Sequence, residues 1–188
     1  MYRKRSPREF EKTMLPHIDA AYRLAMWLLG HSPDAEDAVQ DSFVRAFRAF
    51  DGWKGVNAKG WLLKIVRNTC MTQLGKRSRN ANVIHLDTVS GDHDGIGFSD
   101  ACVDKMPLAE DVLIAADRQA RLWAAVNSLP TDSIIVLILR EFEDQSYKQI
   151  SEIVGIPIGT VMSRLSRARQ QLRARFLAQG KEGKNHEM

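Results

Sequence analysis

The chain is short of the residues that small stapled or metal-dependent folds need. It has 188 residues and two cysteines, Cys70 and Cys102, far apart in sequence. Two distant cysteines make no disulfide framework, and they fit a reduced, cytosolic compartment. His85, His93 and Cys102 show no compact ligand spacing, so no metal site is expected. No apolar run approaches the ~20 residues that span a bilayer, so no membrane insertion is expected. The N-terminus, MYRKRSPREF, leads into no uninterrupted apolar core or small-residue cleavage site, which argues against a signal peptide. A glycine-rich phosphate loop is missing, and the few histidines are scattered. A catalytic set is therefore absent, and no enzyme activity or cofactor is expected. No long-period repeat is present.

What is present is charge, unevenly spread. Apolar residues make up 44% and charged residues 27%, with a net charge of +4 and a pI of about 9.2, as suits a mildly basic globular protein. From Gly52 to Leu86 the bases Lys54, Lys59, Lys64, Arg67, Lys76, Arg77 and Arg79 stand without an acid. From Asp87 to Asp117 the balance inverts, with Lys105 the one base among eight acids. The C-terminal part is basic again. Two basic modules joined by an acidic connector is the charge map.

Wherever a periodicity is present it is helical, so the fold class is all-α. Phe10, Met14, Ile18, Ala21, Tyr22, Ala25, Leu28 and Leu29 trace one stripe, which Pro16 kinks or restarts. Ser32 reads as a cap with Pro33 at the first helical position. Val39, Phe43, Phe47 and Phe50 follow as an apolar stripe, of which Val39, Phe43 and Phe47 are assigned to the core. Residues 51–60 hold three glycines and read as a loop. A third helix covers about Ala58 to Gly75. It sets Leu62, Ile65, Val66 and Thr69 toward a core and Trp61, Lys64, Asn68 and Met71 on another face. Residues 80–108 lose periodicity and read as a linker. Helices resume near Ala109, stop at Pro130, and restart with Thr131 as cap and Ile134–Leu139 as an apolar run.

Residues 145–176 carry the strongest local signal. Ser146 and Gln149 form a capping box, and Ile150, Ile153 and Val154 give the helix an apolar face. Gly155, Pro157 and Gly159 break it. A second helix from about Thr160 buries Val161, Leu165, Leu172 and Phe176. Its other face carries Arg164, Arg167, Arg169, Arg173 and Arg175, with no acid from Thr160 to Phe176. A solvated helix face usually mixes signs, and a purely cationic one suits an anionic partner. This is the pattern of a DNA-reading helix-turn-helix. An ordinary helical hairpin with a solvated basic face remains open on these residues alone.

Two further segments extend the pattern: DAEDAVQDSFVRAFRAFDGWKG (34–55) with GWLLKIVRNTC (60–70), and SLPTDSIIVLILREFEDQSYKQISEIVGIPIGTVMSRLSRAR (128–169). In this order and spacing the chain resembles the extracytoplasmic-function sigma factors, the smallest sigma-70-type initiation factors of bacterial RNA polymerase. The resemblance implies a sigma2-like domain over 1–80 and an acidic linker over 81–108. A sigma4-like helix-turn-helix domain follows over 109–178, and a polar tail over 179–188. It implies that Asp34, Glu36, Asp37, Gln40, Asp41, Arg45 and Arg48 dock on the coiled coil of the polymerase's largest subunit. It also implies that Lys54, Trp61, Lys64, Arg67, Asn68, Met71, Lys76 and Arg77 capture the opened −10 strand. Single-strand capture needs aromatic or apolar platforms with cations, and these residues supply both.

For the −35 element, the resemblance implies base or near-base contacts by Ser163, Arg164 and Arg167, with Thr160 opening the reading helix. It assigns phosphate contacts to Arg169 and Arg173, with Ser146, Tyr147 and Lys148 holding phosphate at the first helix's dipole. Met162 stands where the family often has Lys or Arg. The acidic linker would thread the polymerase's basic cleft; a solubilising spacer is its plainer reading. The implied partners are core RNA polymerase, through that coiled coil and the flap, promoter DNA, and an anti-sigma factor. The free chain is expected to be a cytoplasmic, bacterial monomer. The competing reading is a dimeric helix-turn-helix activator that binds duplex DNA unaided.

Overall fold

The computed structural model describes residues 6–83 and 121–182, with side chains over 6–79 and 121–175. Every helix and turn among the described residues belongs to an all-α architecture. Ser6 caps the first helix, α1 (Pro7–Met14), by accepting from the Glu9 N–H at 3.2 Å, with Pro7 opening the helix. Pro16 sits in a 3-10 turn, Leu15–His17, so it separates α1 from α2 (Ile18–Leu29) rather than kinking one long helix. Gly30 ends α2 at φ 70°, a left-handed stop that costs glycine little.

α3 (Ser32–Ala49) begins one residue earlier than the sequence implied. Ser32 is its first helical residue, not its cap. The Ser32 hydroxyl donates to Glu36 Oε1 at 3.0 Å and lies 2.8 Å from the Tyr22 hydroxyl. A second correction concerns Phe47, expected in the core but 50% exposed. Phe50 fills the inner end of that stripe against Phe10 of α1, and Phe47 stands edge-on to Phe10 at 5.2 Å.

α4 (Ala58–Val83) passes straight through Gly75, where the sequence suggested an end. An interior glycine costs roughly 1 kcal/mol, which flanking helix formers offset. The Arg79 side chain donates back to the Gly75 carbonyl at 3.1 Å, and Arg77 pairs with Asp34 of α3. The first three residues expected in the linker are therefore helical; the rest of it, with His85, His93, Cys102 and the acids of 87–117, lies outside the described residues.

The second module comprises α5 (helical over 121–127), α6 (Thr131–Glu141), α7 (Tyr147–Val154) and α8 (Ile158–Glu182). The helix start expected near Ala109 lies outside the described residues. Thr131 is the first residue of α6 rather than its cap, because Pro130 occupies the N-cap and offers no side-chain bond. Residues 179–182, expected in the tail, extend α8. The rest of the tail is outside the described residues. Ile134–Leu139 are all buried, which a one-faced helix does not do. α6 lies between α2 of the first module and α8 of its own, so both faces are covered. One apolar core thus runs through both modules, from Leu24 and Leu62 to Ile135 and Leu165. Trp27 of α2 stacks on Trp123 of α5 with ring centroids 4.1 Å apart.

Candidate nucleic-acid interface

Loop 51–57 owes its shape to side chains the sequence reading passed over. Trp53 stacks on Phe50 at 5.6 Å and its indole N–H donates to the Val56 carbonyl at 3.1 Å. Gly55, at φ 80°, and Asn57, at φ 48°, take left-handed conformations that turn the chain into α4. Asn57 Oδ1 accepts from the Gly60 N–H at 3.0 Å and so caps the helix. A Cβ at Gly60 would run into the Asn57 side chain, so a larger residue there displaces this cap.

This loop and the start of α4 form one wall of a cleft of about 380 Å³. Trp53, Trp61, Lys54 and Lys64 line that wall, with the two indoles 5.9 Å apart. Aromatic faces edged by ammonium groups are what an unstacked base and its phosphate require. Asn68 is exposed further along α4 and its Oδ1 accepts from Arg67 Nη1 at 3.0 Å, while Met71 is half-buried. Lys76 is exposed. Arg77 does not join the cleft. It reaches Asp34 at the start of α3 and, together with His31, holds the Asp34 carboxyl below its ordinary value. Two residues expected in different interfaces, polymerase docking and −10 binding, are thus paired with each other.

The opposite wall of the cleft is α7, through Gln149, Glu152 and Ile153. The turn before α7 is anchored to the first module by Glu143, whose side chain is fully buried. Arg23 Nε of α2 meets Glu143 Oε1 at 2.7 Å, and Lys59 Nζ of α4 meets Oε2 at 2.9 Å and the Glu143 carbonyl at 3.0 Å. Sequence reasoning missed Trp53, Arg23, Lys59 and Glu143. Only a second tryptophan at the loop hinted at any of them.

On α3, Glu36, Asp37, Gln40, Arg45 and Arg48 are exposed, and Asp41 holds Arg45 at 2.9 Å. Beside them lies an apolar groove of about 600 Å³ between α2 and α3, edged by Ile18, Val44 and Glu36.

In the helix-turn-helix, the Ser146–Gln149 capping box is formed, at 3.2 and 2.8 Å, so the Ser146 hydroxyl is occupied. Tyr147 lies under the Arg140 guanidinium at 5.2 Å, and Lys148 is exposed. Gly155 closes α7 at φ 77°. α8 starts at Ile158, two residues before the expected Thr160. Val161, Leu165 and Ala168 seat it, while Arg167 and Arg173 are exposed. Arg164 pairs with Asp132 at 2.9 Å, and Arg169 pairs with Glu141 at 2.5 Å, which holds that guanidinium still more firmly protonated. The acids missing from α8 between Thr160 and Phe176 are supplied by α6. Ser163 Oγ donates to the Thr160 carbonyl at 3.1 Å.

Two family models match, "Sigma-70 region 2" over residues 14–80 and "Sigma-70, region 4" over 119–172. The ECF RNA polymerase sigma-E factor of Escherichia coli is 30% identical over 75% of this chain and 73% of its own length. The chain belongs to the extracytoplasmic-function sigma factors. ECF RNA polymerase sigma factor SigE of Mycolicibacterium smegmatis is 33% identical over 87% of this chain; the match spans 60% of that relative's length. Among solved structures, the sigma factor RpoE of Bartonella quintana, in complex with the anti-sigma factor NepR, matches with TM-score 0.68 and 27% identity. That match covers 90% of this sigma factor and 97% of the other chain. CnrH, solved with the cytosolic domain of CnrY, shares the fold at 21% identity and TM-score 0.62, covering 92% of this chain and 90% of its own. Among the described residues no helix of this sigma factor is long and apolar enough to cross a membrane.

Proposed function

We propose that this chain binds core RNA polymerase in the bacterial cytoplasm and directs it to promoters, reading the −35 element with α8 and opening the −10 element with the loop before α4. It is not an enzyme. The observation that carries this reading is one chain holding both a tryptophan–lysine cleft suited to unstacked bases and a capped helix-turn-helix with exposed arginines. The exposed charges of α3 and the apolar groove beside them suit docking on a helical coiled coil of the polymerase.

The described arrangement is the silent one. α7 stands across the cleft from Trp61 and Lys64, so a strand entering from that side meets protein. The Bartonella relative, solved with its anti-sigma factor, has the same two-module fold over most of this chain. That supports a partner of this kind holding the present chain closed. The deciding experiment is run-off transcription from source genomic DNA with purified core polymerase, with and without the chain. Promoter-specific transcripts are expected only with both proteins. Tight, sequence-specific duplex binding by the chain alone, as a dimer, favours an activator instead.

A further inference from the structure

The N-terminal turns of α8 do not present arginines first. In a reading helix the N-terminal turns lie nearest the bases. Val161, Leu165 and Ala168 are buried, which turns the opposite side of α8 outward. There stand Ile158 and Met162, one helical turn apart and 44% and 52% exposed, then Ser163, Ser166 and Arg167. Arg164 is not in this row. It is 27% exposed and leans sideways onto Asp132 of α6. The first outward turns of α8 therefore present a thioether and two hydroxyls before any guanidinium.

An apolar side chain at that place has one apolar feature to meet in the major groove, the C5-methyl of thymine. Hydroxyls beside it take either donors or acceptors on the neighbouring base edge. Ser163, having given its proton to the Thr160 carbonyl, offers lone pairs to a base amino group. Resting on the −35 reading proposed above, we infer that Met162 reads a thymine methyl in the −35 element with Ser163 and Ser166 beside it. Arg164 is a positioning residue that braces α8 against α6 through Asp132.

The test uses the holoenzyme. Promoters are first recovered from a library randomised over the −35 element. Each thymine is then replaced by deoxyuridine, which removes the methyl and nothing else. The wild-type holoenzyme should lose about fourfold affinity at one position, the worth of burying one methyl-sized group. Met162→Ala should bind more weakly and show no response to deoxyuridine at that position, while Met162→Leu keeps the response. Arg164→Ala and Asp132→Ala should each weaken binding without relaxing base preference. The inference is overturned if no deoxyuridine costs affinity, or if Met162→Ala keeps the wild-type response. It is also overturned if Arg164→Ala relaxes a base position, or if Met162→Ala lowers affinity for core polymerase alone. Failure to recover any promoter with the holoenzyme sinks the proposed function itself, a separate outcome.

Discussion

Glu143 is the only charged residue that is buried among the described residues, and both its charged partners come from the other module. A buried carboxylate is costly unless paired and hydrogen-bonded, so this one contributes most while Arg23 and Lys59 stay in reach. Glu143→Gln keeps the shape and removes the charge. The expected loss is about 2 kcal/mol of contact between the modules, below the range for fully buried pairs because both cations are partly hydrated. It should be read as faster hydrogen exchange in α7, with little change inside α2. Cys70 makes a different residue-scale case. Burial raises its thiol pKa to about 12, so in a Cys102→Ser variant the native protein should resist alkylation at pH 8 and react once unfolded. Rapid native labelling would show that α4 opens locally.

At the scale of the element, the loop before α4 depends on one cap. Gly60→Ala pushes a Cβ into the Asn57 side chain that accepts the Gly60 N–H. The expected cost is about 1 kcal/mol, with Trp61 displaced and binding of single-stranded −10 DNA reduced. Thermal unfolding and an oligonucleotide titration with holoenzyme check both parts; unchanged values in each mean the cap is dispensable. The Asp34–Arg77 pair links α3 to α4. Because the Asp34 carboxyl is held below its unfolded value, its contribution is full above the ordinary carboxylate range and is lost as pH falls through the depressed folded value. Asp34→Asn should lower stability at neutral and alkaline pH and leave it nearly unchanged at low pH, so that the acid-side dependence flattens, as followed by denaturant unfolding across pH. A dependence that survives the substitution assigns it to another carboxylate.

The whole molecule has to open before it can work as proposed. Trp27 and Trp123 stack only while the modules are closed, which makes them an internal reporter. Mixing the chain with core polymerase should weaken the near-ultraviolet circular dichroism of this pair, and Trp123→Phe should abolish the change. Glu143→Gln should raise the affinity of the free chain for single-stranded −10 DNA, since α7 then leaves the cleft more readily. Equal affinity of variant and wild type would mean that α7 does not obstruct the strand.

Much of this was legible in the sequence because it is local. The helical stripes, the Pro16 break, the Ser146–Gln149 box and the Gly155 stop depend on residues within a few positions of each other. Tertiary structure decided what depends on distant partners. It took the exposed Phe47 out of the core, ran α4 through Gly75, and paired Arg164 and Arg169 with acids of another helix. Periodicity says which face of a helix is outward, but not which far-off carboxylate waits there. The same limit hid Glu143, which reads as one more charge in a turn and becomes a buried ion pair only when α2 and α4 arrive from more than eighty residues away.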